Sequence, residues 1–263
     1  MEFATPDGLK INPEKIKKHL INFIKLELKK AGFSKLVLGI SGGLDSTIVA
    51  FLSAEAITPK NVTGAILPYS SSAPDSIQDA ELIIKILGIS RRYVEITPMV
   101  DAYFGKFPTS DLTRRGNKMA RERMSVLYDV SAELKALVIG TSNKSEIKMG
   151  YGTLFGDLAC ALNPIGNLYK TQLRQLAQYL KIPEQIISKP PSADLWAGQT
   201  DEGELGLTYA KLDAFLYYMD DLKYTDQQLK QQGFSSDFIE RVKTRIAHYE
   251  FKSRPPIIAV LPE

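Results

Sequence analysis

A chain of 263 residues, 44% hydrophobic and carrying a net charge of only +3, can bury a sizeable core and has too small a basic excess to argue for nucleic-acid binding. One cysteine excludes an internal disulfide framework, and with only two histidines a structural zinc site is not expected. No apolar run reaches membrane-spanning length and residues 1–7 do not read as a secretory leader, so the expected compartment is the cytoplasm, with no membrane partner.

Asn12-Pro13 opens a helix that carries Ile16, Leu20, Phe23 and Ile24 on one face and ends near Gly32. Residues 36–40 read as a strand, 46–57 as a helix and 62–67 as a strand ended by Pro68. Ile77, Ala80, Ile84 and Leu87 mark an amphipathic helix stopped at Gly88. A short strand at 93–96, a helix at 118–134 and a strand at 137–141 follow. This alternation predicts an α/β three-layer sandwich with a mainly parallel, doubly wound sheet, and ligands at the carboxyl ends of its strands. After Glu146 the periodicity fades through the glycine-rich stretch 148–168. Helices are expected at 171–180, 205–219, 226–231 and 236–248, with Pro190-Pro191 and a polar loop between the first two. With no repeat and no linker, residues 1–263 are expected to form one domain with C-terminal helices.

The most telling stretch is Ser41-Gly42-Gly43-Leu44-Asp45-Ser46, between the strand at 36–40 and the next helix. Glycines that accept positive φ let consecutive N–H groups face one concavity, and the helix adds the positive end of its dipole. That makes an anion site. Asp45 beside it would repel a phosphate unless a metal ion stood between them, which points to phosphate with Mg²⁺. The other reading is a ligand-free turn with Ser46 as N-cap. Neither the Walker spacing nor G-x-G-x-x-G is present.

This stretch resembles the Ser-Gly-Gly-x-Asp-Ser signature of the ATP pyrophosphatase (PP-loop) superfamily, which splits ATP between its α- and β-phosphates. Four further segments narrow the resemblance: Gly116 to Met124, Gly140-Thr141-Ser142-Asn143-Lys144-Ser145-Glu146, Gly150 to Asp157 and Lys189-Pro190-Pro191-Ser192-Ala193-Asp194-Leu195-Trp196. In this order and spacing they look like the NAD synthetase family over about residues 15–256. The resemblance implies an adenine nucleotide α-hydrolase-like fold. It implies a ligase that adenylates deamido-NAD with ATP and amidates it to NAD, releasing AMP and pyrophosphate. It also implies a homodimer whose interface helps form the deamido-NAD site.

By resemblance, ATP is held by Gly39, Ile40, Ser41, Gly42, Gly43, Leu44, Asp45, Ser46, Thr141, Lys170 and Ser192. Deamido-NAD is held by Asn117, Arg121, Asp157 and Lys252. Asp45 and Glu146 are the expected Mg²⁺ ligands, and Asp45, Glu146 and Lys170 the catalytic residues. The residues make sense of this in part. Lys170 lies just before a helix, where a cation is unfavourable unless an anion joins it. Asn117 and Arg121 are four apart and share a helix face. Ser192 is equally readable as an N-cap, and Glu146 as a partner of Lys144 or Lys148. The chain departs from the family at Ile66, Leu154, Ala161 and Phe251, mostly on the acceptor side. It has no amidase segment, so free ammonia is the expected donor. Cys160 lies in an apolar run and reads as a buried structural thiol. The polar, glycine-containing stretch 197–206 reads as a lid. Another PP-loop ligase, or a non-catalytic adenine-nucleotide binder, remains the alternative.

Overall fold

The computed structural model describes residues 6–196, 198–254, 256–259 and 261. Helix α1 (Pro13–Lys30) starts as its sequence dictates, with Asn12 accepting from the Lys15 N–H and proline in the first turn. It buries Leu20, Ile21, Ile24 and Leu28. Strand β1 (Leu36–Gly39) leads into α2 (Leu44–Ile57), then β2 (Val62–Ile66), α3 (Pro74–Leu87) and β3 (Ser90–Tyr93). Helices α4 (Thr97–Lys106) and α5 (Leu112–Leu134) return the chain to β4 (Leu137–Val138).

The four strands pair in parallel in the order β3-β2-β1-β4. The chain winds outward from β1 to β3 and then crosses back to β4. The direction reverses beside β1, which places the crevice at its carboxyl end. Strand alternation divides the core. Leu36 and Leu38 pack with α1, α2 and the later helix α7 (Lys170–Tyr179), whereas Val37 and Val138 meet Val130 of α5.

Before α7 comes the short helix α6 (Lys144–Lys148). After it come α8 (Glu184–Ile187), α9 (Asp201–Leu205), α10 (Tyr209–Leu216), a π-turn at Tyr217–Asp221, α11 (Asp226–Gln231) and α12 (Ser236–Tyr249). The last helices share their own apolar cluster, centred on Leu212, Phe215, Phe234 and Phe238, and it extends to Met149 and Tyr169.

Several boundaries differ from the sequence reading for local reasons. The strand expected at 93–96 is Ser90–Tyr93, because an edge strand tolerates the exposed Arg91. Val94 and Ile96 still donate to the Ile66 and Pro68 carbonyls at 3.0 and 2.9 Å, outside the regular ladder. Helix α5 begins at Leu112, not at 118, because Asp111 caps it by accepting from Arg114 N at 3.1 Å. The strand expected at 137–141 shrinks to two residues, and Ile139 bridges to Leu162 instead. The helix expected at 205–219 is broken at Gly206, whose φ of +65° ends α9. Cys160 is half-buried rather than buried.

Candidate active site

The loop after β1 is held by its own hydroxyls. Ser41 Oγ accepts from Gly43 N at 3.2 Å, Ser46 Oγ accepts from Ser41 N at 3.3 Å, and Thr47 Oγ1 donates to the Gly43 carbonyl at 2.8 Å. Gly42 must be glycine on two counts: its φ is +75°, and a Cβ there would lie 2.2 Å from the Ser76 carbonyl. Gly43, not Ser46, is the N-cap of α2, so the helix starts two residues earlier than expected. The first-turn N–H groups of α2, unpaired within the helix, are those of Leu44, Asp45 and Ser46.

Three elements bring the expected catalytic residues together. Asp45 lies in the first turn of α2, Glu146 in α6, and Lys170 opens α7. Lys170 Nζ donates to both Asp45 oxygens at 3.0 and 2.9 Å, and to Glu146 Oε1 at 3.3 Å. Asn143 orients both acids. Its amide donates to Asp45 Oδ2 at 2.7 Å, and its backbone N–H donates to Glu146 Oε2 at 3.2 Å as half of a capping box. Glu146 therefore pairs inward with Lys170 rather than with Lys144 or Lys148, which engage Asp221 and Asp220.

A third carboxylate, Asp201, is 4% exposed and accepts from the hydroxyls of Tyr151 and Tyr209, each at 3.1 Å. Burial pushes Glu146 well above the usual carboxylate range, against the pull of Lys170. Burial alone would lower Lys170, but Asp45, Glu146 and Asp201 together outweigh it and hold the ammonium protonated. Asp45 and Glu146 thus share one lysine, on which Asp201 acts without a direct bond. Among the described residues no group of three or more His, Cys, Asp or Glu forms a metal cage. The Asp45–Glu146 pair offers hard oxygen donors, and that set fits a Mg²⁺ that takes its other ligands from phosphate and water.

Beneath this centre, Asp213 of α10 is completely buried. It accepts from Ser145 Oγ at 2.6 Å and from Thr171 N at 2.8 Å, and Ser145 Oγ accepts from Lys170 N at 3.0 Å. One carboxylate thus ties the starts of α6 and α7 together. Asp213→Ala strands those donors and is expected to cost about 1–3 kcal/mol per unmet group, read as a lowered urea midpoint. A midpoint equal to that of the unmodified protein would show that water replaces the carboxylate fully.

The expected acceptor residues converge on one segment, 150–157. Asn117 Oδ1 accepts from Thr153 Oγ1 at 2.7 Å, and Asp157 Oδ1 accepts from Thr153 N at 2.7 Å. Arg121 reaches the Leu154 carbonyl at 3.3 Å. Lys252 donates to the Gly150 and Gly152 carbonyls, both at 2.9 Å. Burial raises Asp157 and lowers Lys252 from their ordinary values.

A cleft of about 1070 Å³ runs between this segment and the glycine loop. Gly39, Ile40, Ser41, Gly43, Leu44, Asp45, Ser46, Asn117, Thr141, Glu146, Asp157, Lys170, Ser192 and Lys252 all line it; Gly42 and Arg121 do not. Ser192 caps no helix; its hydroxyl accepts from Asp194 N at 3.0 Å in a local turn. Of the expected lid, Ala197 lies outside the described residues. The remainder is docked, with Asp201 N donating to the Pro191 carbonyl at 2.9 Å. The sequence reading missed Asp201, Asp213 and the pocket-lining Arg174. Only Asp213 left a signal, as a lone acid in the apolar run 212–216.

These features define a doubly wound α/β protein with a glycine-loop anion site at its switch point and a carboxylate–lysine centre beside it. Residues 16–256 match the NAD synthase family. The chain is 49% identical over 251 residues to an NH3-dependent NAD+ synthetase of Fusobacterium nucleatum subsp. nucleatum, covering 95% of this chain and 97% of that one. It is 50% identical to the enzyme of the same name from Trichlorobacter lovleyi, covering 95% and 92%. The solved NH3-dependent NAD synthetase of Campylobacter jejuni, in complex with nitrate, superposes with a TM-score of 0.82 at 35% identity, covering 95% and 100%. The NMN synthetase of Francisella tularensis superposes with a TM-score of 0.84 at 33% identity, covering 96% and 99%. The chain belongs to the NAD synthase family.

Proposed function

We propose that this chain is an ammonia-dependent NAD synthetase, a ligase that forms an amide C–N bond by activating deamido-NAD with ATP. The observation that carries the reading is the Asp45–Lys170–Glu146 centre at the N-terminus of α2, in one cleft with the segment that Asn117, Asp157 and Lys252 hold. A mere nucleotide binder has little use for buried acids beside its anion site.

In the first step an oxygen of the nicotinate carboxylate bonds to the α-phosphorus of ATP, and the bond from that phosphorus to the bridging oxygen breaks. Its electron pair leaves on pyrophosphate. Ammonia then attacks the acyl carbon, AMP departs with the acyl C–O pair, and the nitrogen loses a proton. The N–H groups of Leu44, Asp45 and Ser46 hold phosphate oxygens, and Thr141 and Ser192 add hydroxyls. Lys170 draws the approaching anions together, and Asn143 fixes Asp45. Asp45 and Glu146 would hold Mg²⁺, which would supply the positive charge needed when a carboxylate meets a triphosphate. Asn117, Arg121, Asp157 and Lys252 position the acceptor directly or through residues 150–157.

The protein acts in the cytoplasm as a homodimer, with no nucleic-acid or membrane partner. Phe155, 57% exposed on the acceptor segment, supports a second copy completing that side. Among the described residues no helix is long and apolar enough to cross a membrane.

Purified protein given ATP, Mg²⁺, ammonium and deamido-NAD is expected to release AMP, pyrophosphate and NAD in equal amounts. Glutamine in place of ammonium is expected to give no appreciable NAD. Failure to release AMP with deamido-NAD defeats the reading. Nicotinate mononucleotide belongs in the same assay, because Leu154 and Ala161 bring no charge to the acceptor side. Faster turnover with it would move the acceptor assignment.

A further inference from the structure

A triphosphate entering this cleft needs cations, and most of those on its walls are engaged. Lys170 serves Asp45 and Glu146. Lys189 donates to Asp79 at 2.9 Å and to Ser76 at 3.2 Å. Lys252 is held by two carbonyls and Arg245 by the Met149 carbonyl at 3.0 Å. Arg123 keeps Nε on the Leu67 carbonyl at 2.9 Å. Arg174 differs. It lines the same cleft and is half-buried, yet its guanidinium has no hydrogen-bond, ion-pair or ring partner among the described residues.

Its position on the fold gives that free fork a direction. Arg174 follows Lys170 by four residues on α7, so the two share a helix face with Cβ atoms ~5–6 Å apart. That spacing is comparable with the length of a triphosphate. Helix α7 packs against α2, whose first turn carries Asp45. Lys189 lines the cleft as well, and it reaches Ser76, the residue whose carbonyl abuts Gly42. The acceptor residues gather elsewhere, on α5, on residues 150–157 and at Lys252. A guanidinium that lines this cleft with no carboxylate partner of its own is matched to phosphate, which it engages through two parallel N–H bonds.

We propose that Arg174 is a catalytic residue that binds the β- and γ-phosphates of ATP and neutralises the pyrophosphate leaving group. The proposal rests on the ATP-consuming reading above. As the acceptor oxygen bonds to the α-phosphorus and the bond to the bridging oxygen breaks, the electron pair and its negative charge pass to pyrophosphate. Arg174 meets that charge at the far end from Lys170.

Binding of inorganic pyrophosphate with Mg²⁺, followed by calorimetry without acceptor, tests the site independently of turnover. Arg174→Gln is expected to weaken pyrophosphate binding 10- to 100-fold and to lower kcat for AMP formation by a similar factor. KM for deamido-NAD is expected to stay within about twofold. Arg174→Lys, which keeps the charge but loses the fork, is expected to recover part of both effects. Since the side chain has no protein partner, the thermal midpoint should move by no more than about 2 °C. Pyrophosphate affinity within twofold of the unmodified protein, in Arg174→Gln or in Arg174→Ala, overturns the assignment. Unmodified protein that binds pyrophosphate through Arg174 but makes no AMP from any acceptor overturns the activity reading and leaves the site standing.

Discussion

Replacing Asp45 by asparagine is expected to abolish AMP formation and leave a folded protein. The fold is built elsewhere: α2 is held by Ile48, Val49 and Leu52 in the core and capped by Gly43. The local cost comes from mismatched partners. Asp45 Oδ2 accepts from Asn143 Nδ2 and both its oxygens accept from Lys170. An asparagine has one oxygen for these two donors, so its amide faces either Asn143 or Lys170 donor to donor. Asn143 cannot turn to help, because its own Oδ1 accepts from Glu146 N at 3.0 Å. A loss of about 1–3 kcal/mol follows, which a domain of this size survives. The chemical loss is larger. The pair expected to hold Mg²⁺ falls to one carboxylate, and removal of a preorganised electrostatic contact costs ~10²–10³ in rate. Circular dichroism with an AMP assay checks both halves. A folded variant with kcat within tenfold of the parent would remove Asp45 from the reaction centre.

The centre was legible in the sequence to the extent that its residues sit next to strong local signals. An apolar strand running into Ser41-Gly42-Gly43 announces both β1 and the loop, because only a glycine tolerates the conformation and crowding at 42. Glu146 was legible as an acid after a strand. Its helix α6 was not, because five residues are too few to show a period. The edge strand β3 was misplaced because half-exposed arginines carry no strand pattern, and the apolar Val94 and Ile96 beyond them do. Asp201 depends on Tyr151 and Tyr209, and Asp213 on Ser145 and Thr171, partners up to 68 residues away. Such pairings are set by packing of the C-terminal helices; Asp213 leaves only the faint trace of an acid among apolar neighbours, and Asp201, between Thr200 and Glu202, leaves none. Arg174 left less still, since a lone arginine on an amphipathic helix reads as a solvated face until the cleft beside it is seen.

Lys170→Met is expected to lose activity and to destabilise the protein by a large fraction of its total stability. Lys170 is 6% exposed, and its ammonium is the cation that Asp45 and Glu146 share. Asp201 stands close enough to act on it as well. Methionine fills similar volume but leaves these acids facing one another without compensation. Breaking a buried pair by removing one partner costs about 3–5 kcal/mol, against a total of about 5–15 for a typical domain. Urea unfolding reads this as a lower midpoint at unchanged slope. Lys170→Arg keeps the charge, but its planar fork cannot reproduce one nitrogen donating to both Asp45 oxygens, so stability should return further than activity. Added Mg²⁺ makes the comparison decisive. A ligand that binds only the folded state stabilises by RT ln(1 + [L]/Kd), about 2.7 kcal/mol at a hundredfold excess over Kd. With the ammonium gone, Asp45 and Glu146 hold Mg²⁺ without competition, so Mg²⁺ should raise the midpoint of Lys170→Met more than that of the unmodified protein. Equal shifts in the two proteins would mean that these carboxylates do not hold the metal.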